Sequence, residues 1–156
     1  MKNGKAGKII KTILVVMLVA AFGGVAWMYL KTNVISVEGN WIKKIRTGVG
    51  VLRAEVVISD KKMRKGLSER RSLCANCGML FVFTSPGKHA FWMKGMEFPL
   101  DVIWLRNREV IQVERDISAY DQRTFLPNSD ADMVLELNAG MAKKYDLKEG
   151  NKLDIE

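Results

Sequence analysis

The sequence predicts a mostly β (α+β) domain: a small, mainly antiparallel sheet or partly closed barrel with two short helices, preceded by one transmembrane helix. Three observations predict it. About seven short runs rich in β-branched and aromatic residues are punctuated by turn residues. Strands and helices do not alternate regularly, which argues against a doubly wound α/β fold. Residues 12–30 carry no charge at all.

The chain has 156 residues and a net charge of +8. Lys2, Lys5, Lys8, Lys11 and Lys31 lie within residues 1–31, where there is no acid. More than half of the excess charge thus belongs to the leader, so nucleic-acid binding is not expected. Residues 1–11 read as a basic cytoplasmic tail and 12–30 as a membrane anchor. At ~1.5 Å per residue the apolar run spans ~30 Å, the thickness of a hydrocarbon core. Trp27 and Tyr29 stand at its far end, where aromatic rings favour the membrane interface. A cleaved signal peptide is the alternative, but Trp27-Met28-Tyr29-Leu30-Lys31 is a poor cleavage site. The lysines before the span favour a cytoplasmic N-terminus, with the domain outside and the cell membrane as its first partner. Lys31, Lys43, Lys44 and Arg46 behind the span weaken that asymmetry, but the first flank usually dominates.

Residues 31–50 read as a linker, with Asn33, Gly39, Asn40, Gly48 and Gly50 breaking any period. Within it, Trp41–Ile45 is either an amphipathic turn on the membrane or a packing segment of the domain. The domain itself is assigned to residues 51–156. Val51–Ile58 is a strand; Ser59 or Asp60 caps a helix through Lys65 that Gly66 ends. Gly78–Phe83 is an apolar strand and Ser85-Pro86-Gly87 a turn. His89–Met93 and Leu100–Leu105 are strands joined through Gly95 and Pro99. Asn107-Arg108 turns into Glu109–Glu114, a hairpin. Residues 115–132 read as an irregular loop and Met133–Leu137 as a strand. Asn138 caps a helix over Ala139–Tyr145, and Lys152–Ile155 is the last strand.

Lys94 and Asp101 are lone charges in dense apolar sequence. Burying a charge is costly unless it is paired, so they are partners or the polar floor of a site. An antiparallel register between their strands would set Lys94 opposite Asp101, with Trp92 beside them. Cys74 and Cys77 form a C-x-x-C that fits a local disulfide, a redox dithiol or part of a metal site. With His89 the only histidine and no further cysteine, no metal is expected. No cofactor is expected either, because there is no Gly-rich phosphate loop. A nucleophile elbow of the Gly-x-Ser-x-Gly type is also missing. Met79, Met93 and Met96 lie among aromatic residues and fit core packing better than soft ligation.

The motifs Lys65-Gly66-Leu67-Ser68, Gly78–Phe83, Phe91-Trp92-Met93-Lys94, Phe98-Pro99-Leu100-Asp101 and Val134–Gly140 resemble the domain of unknown function 192 family. The resemblance covers about Leu52 to Ile155, with the Trp-Met-Lys and Pro-Leu-Asp pair its most specific part. It implies a compact β-rich domain, commonly exported, and no agreed catalytic residue. Ser68 departs from the family pattern, where many relatives carry Met. Cys74–Cys77 replaces a stretch that is usually polar or acidic.

Two function classes follow, with a third beside them. In the first, the domain binds a small ligand or an envelope polymer such as a saccharide, using Trp92, Lys94, Asp101, Glu136 and His89. In the second it is a hydrolase-type enzyme with Asp101 or Glu136 as acid or base. The third is a structural domain that meets a protein partner.

Overall fold

The computed structural model describes residues 39–156. The tail, anchor and orientation expected for residues 1–30 lie outside the described residues. Among those described, no helix is long and apolar enough to cross a membrane.

The elements in chain order are β1 (Trp41–Arg46), β2 (Val51–Val57), α1 (Asp60–Lys65), β3 (Cys77–Gly87), β4 (Phe91–Trp92) and β5 (Leu100–Arg106). Then follow β6 (Glu109–Ile117), β7 (Thr124–Phe125), β8 (Ala131–Asn138), α2 (Met141–Lys144) and β9 (Asp154–Ile155). Seven strands form one sheet in the order β6-β5-β8-β3-β2-β1-β9. All its pairings are antiparallel except β2 with β3, which are parallel and linked through α1. The sheet is therefore mixed, and it curls into a half-barrel. At its open side the last residues reach both edges. On the β6 side, Val110 N–H donates to Asn151 O, Gly150 N–H donates to Val110 O, and Leu153 N–H donates to Arg108 O. On the other side Lys44 and Glu156 exchange backbone bonds beside the β1–β9 pairing.

Several expectations change. β1 is a paired strand and not part of a linker, so Trp41–Ile45 packs as part of the domain and the domain begins before residue 51. The turn expected at Ser85–Gly87 is the end of β3, and the loop expected over 115–132 contains the end of β6 and all of β7. β4 does not adjoin β5; it pairs with β7 in a separate two-stranded ribbon. The β5–β6 hairpin does turn at Asn107 and Arg108, with φ 51 and 67. Two positive φ angles match the right-handed twist of the flanking strands. Asn138 does not cap the second helix, whose N-cap is Gly140; its Nδ2 donates instead to Leu73 O and Cys74 O.

Both faces of the sheet are buried at its centre. Leu80, Ile103, Leu105, Leu135 and Leu137 fill one face with Ala142, Leu147 and Leu153. Met79, Phe81, Val102, Trp104 and Val134 fill the other with Leu67, Met93 and Phe125. At Gly78, β8 packs closely on β3: a Cβ there would lie 2.7 Å from Leu137 Cδ2 and 2.8 Å from Glu136 O. No larger residue fits without separating the strands.

Asp101 shares the parity of Ile103 and Leu105, so its side chain enters the first core, fully buried. Opposite it the ladder shifts register between Leu100 and Val102, and Asp116 has φ 52. Such a bulge leaves a backbone N–H without a ladder partner. Asp101 Oδ1 accepts that N–H from Asp116 at 2.9 Å. Its Oδ2 accepts Ala142 N–H at 2.7 Å, in the first turn of α2, where Gly140 supplies no side-chain cap. One carboxylate thus serves a bulge and a helix N-terminus together. Lys94 is exposed and makes no hydrogen bond or ion pair with Asp101, which corrects the expected cross-strand pair.

Asp101→Ala would leave a buried N–H, that of Ala142, and a partly buried one, that of Asp116, without acceptors. A loss of about 2–4 kcal/mol in denaturant unfolding is expected. Lys94→Met should change stability by less than about 0.5 kcal/mol and should not rescue Asp101→Ala. Rescue in the double variant would restore the pairing that the geometry denies.

Candidate functional site

A cleft opens over the second core face, between the end of α1 and the β4 segment, with about 170 Å³ of interior space. Its walls are apolar and aromatic: Met63, Phe81, Phe83, Phe91, Trp92 and Met96. These rings are held by one another. Phe91 meets Phe81 and Trp104 edge to face, with centroids 4.9 and 6.1 Å apart. Trp104 Nε1–H donates to His89 O at 3.0 Å, pinning the segment before β4 to the core.

Four of the five candidate residues line this cleft: His89, Trp92, Lys94 and Glu136. Asp101 does not. It points to the opposite side of the sheet, because Asp101 pairs with Leu137 while Glu136 pairs with Val102 and shares the face of Val134. Trp92 is half exposed and Lys94 exposed. Both also border a second recess, which continues along Met93–Met96 to Tyr120 and Gln122. His89 stacks on Phe83, ring centroids 3.5 Å apart and 6° from parallel, and its Nε2 meets Ser85 O at 3.1 Å. A carbonyl only accepts, so Nε2 carries the proton and a neutral ring keeps its acceptor at Nδ1.

Glu136 lies at the floor. It is buried, and its Oε2 has no hydrogen-bond partner among the described residues. Burial pushes its carboxyl up to about 8, offset in part by the positive charge of Arg70. That guanidinium is itself forked onto Glu55 at 2.7 and 3.0 Å. Glu136 is therefore protonated at neutral pH, able to donate one hydrogen bond and accept others. Above it stands Gly66, with φ 52 and ψ −133, a conformation only glycine adopts readily. A Cβ there would come 3.5 Å from Phe81 Cζ and 3.9 Å from Glu136 Oε2. Sequence reasoning took Gly66 as a helix stop and missed that it also lines the cleft, together with Arg64 and Ser68.

A neutral buried acid with rings around it can hold a polar group or donate a proton. Two-carboxylate hydrolysis needs a second acid in the cleft, and among the described residues Glu136 is the one acid lining it. Among the described residues no group of three or more His, Cys, Asp or Glu is placed to hold a metal. Cys74 and Cys77 are joined as a disulfide, Cα–Cα 5.1 Å, away from the cleft at the start of β3. Met79 and Met93 are core residues, and Met96 lines the cleft.

A family model described as DUF192, uncharacterized ACR, matches residues 34–155. No curated protein is matched by the sequence. Two crystal structures are similar. One is a protein of unknown function from Novosphingobium aromaticivorans DSM 12444, 28% identical with a TM-score of 0.72, aligned over 78% of this chain and 91% of that one. The other is a proposed transcription regulator from Sinorhizobium meliloti 1021, 24% identical with a TM-score of 0.67, aligned over 73% and 92%. The second likeness concerns the fold alone.

The raised pKa of Glu136 gives a stability signature. Between about pH 4.5 and 8 the folded chain keeps a proton that the unfolded chain releases. Stability therefore falls as pH rises through that window, by at most roughly 1.4 kcal/mol per unit, and levels off above it. Glu136→Gln removes this slope. In unfolding curves from pH 5 to pH 8 the variant should gain on the wild type steadily, by a few kcal/mol on the order expected from linkage. A difference that does not change with pH would contradict a buried neutral acid.

Proposed function

We propose, from the premise that this chain belongs to the DUF192 family, that its domain is a small-ligand-binding module whose site is the cleft above Glu136. The observation that carries the reading is the unpartnered carboxyl oxygen at the floor of an aromatic-walled pocket. A buried polar atom without a partner costs free energy, and a bound ligand recovers it. Apolar walls with a few convergent polar groups are the usual make-up of a small-molecule site. The interior volume suits one ring-sized unit, either a free small molecule or the end unit of an envelope polymer. The membrane anchor and the outward-facing domain remain part of this proposal, on the strength of the uncharged run and the lysines before it.

Binding is tested by a nuclear magnetic resonance screen of ring-sized fragments. Hits should shift the Trp92 indole and the methyl groups of Met63 and Met96, and Ala90→Trp, which plugs the mouth, should abolish them. Hits indifferent to that plug, or none at all, would remove the reading. Topology is tested by adding protease to intact spheroplasts: the domain should be digested, and protection until lysis would overturn the orientation.

A further inference from the structure

The charges around the cleft are distributed unevenly, and the unevenness bears on the ligand's chemistry. Lys94 and Arg64 are exposed side chains on its lining, and Lys65 lines it as well, 3.7 Å from Glu69. Among the described residues the lining has a single acid, Glu136, and it lies buried at the floor. Lys94 and Arg64 come from different segments, the loop after β4 and α1. The rim is thus cationic, the walls are aromatic and the floor offers a carboxyl with an unpartnered oxygen.

We propose that the cleft selects a hydroxylated aromatic carboxylate, its ring between Phe83, Phe91 and Met63, its hydroxyl on Glu136 and its carboxylate at the rim with Lys94 and Arg64. This rests on the small-ligand reading and narrows it. Each part of the ligand answers one part of the site. A ring fills a space of this size with dispersion contacts on several sides. A hydroxyl both donates and accepts, so it matches a protonated carboxyl in either direction. An anion meets exposed cations that carry a net positive field at the opening, and among the described residues no exposed acid on the lining opposes it. Burial pushes Glu136 up to about 8, which keeps the floor uncharged at neutral pH and spares the ligand repulsion from below. A neutral saccharide would leave the rim charges unused, and a cationic ligand would be repelled by them.

The test is calorimetric titration of the full chain in nanodiscs at pH 6.5 with three probes. These are 4-hydroxyphenylacetate, its neutral amide, and phenylacetate. The first should bind saturably. The amide should bind about tenfold more weakly, the loss of one charge-assisted contact. Phenylacetate should also bind more weakly, and Glu136→Ala should erase its difference from the hydroxylated acid. Lys94→Met should weaken the two acids about tenfold and leave the amide unchanged. If the amide binds as tightly as the acid, or Lys94→Met affects neither acid, the ligand class is wrong while the cleft remains a binding site. If none of the probes binds, the class is also wrong, and the fragment screen with the Ala90→Trp plug decides separately whether the cleft binds anything.

Discussion

The architecture depends on one buried carboxylate. Asp101 sits at the start of β5, beside the edge strand β6, and accepts from Asp116 N–H on β6 and Ala142 N–H in α2. A bulge and a helix start are both places where regular structure leaves donors unmet. By serving both, Asp101 fixes how far β6 bends away from β5 and where α2 lies against Leu137 and Ile103. The helix is only one turn long and could not persist without tertiary support. Its Ala142 and the following Tyr145 and Leu147 then close the first core from outside.

The same parity rule that sends Asp101 inward sends its neighbours the other way. Val102 and Trp104 on β5, Val134 and Glu136 on β8, and Met79 and Phe81 on β3 share the opposite face. One sheet therefore separates two acids with different fates. Asp101 is saturated with backbone donors and serves the fold. Glu136 is held in apolar surroundings beneath Gly66, with one carboxyl oxygen lacking a hydrogen-bond partner among the described residues. The first has a complete set of partners, and the second does not.

Much of this was legible in the sequence, and what was not has physical reasons. The hairpin at Asn107-Arg108, the strand at Gly78–Phe83 and the short helix after Ser59 follow from local turn and capping chemistry. Trp92, Lys94, His89 and Glu136 stood out as polar or amphipathic residues in apolar runs, and the fold brings them to one cleft. The Lys94–Asp101 pairing failed because β4 pairs with β7 and not with β5. β5 is also buried on both faces, so Leu-Asp-Val-Ile-Trp-Leu is apolar except for Asp101, and no alternation shows which way that residue points. β1 was obscure for the converse reason: in Trp-Ile-Lys-Lys-Ile-Arg only Ile45 is fully buried, so a paired strand near the edge resembles an amphipathic turn. Gly66 carries no side chain for a pattern to register, and its part in the cleft is visible only in three dimensions.

Residues 150–156 span from Arg108 and Val110 to Lys44 and Arg46, so both rims of the sheet depend on one short segment. Arg46 and Glu156 meet across a sequence separation of 110, with guanidinium and carboxylate 3.0 Å apart. Contacts this distant in sequence form slowly, because a long loop must close first. Without residues 150–156 the sheet presents the free rims of both β1 and β6, each able to pair with another chain. This segment thus acts as a clasp across the sheet, and a chain in which it has come undone is the form most exposed to self-association.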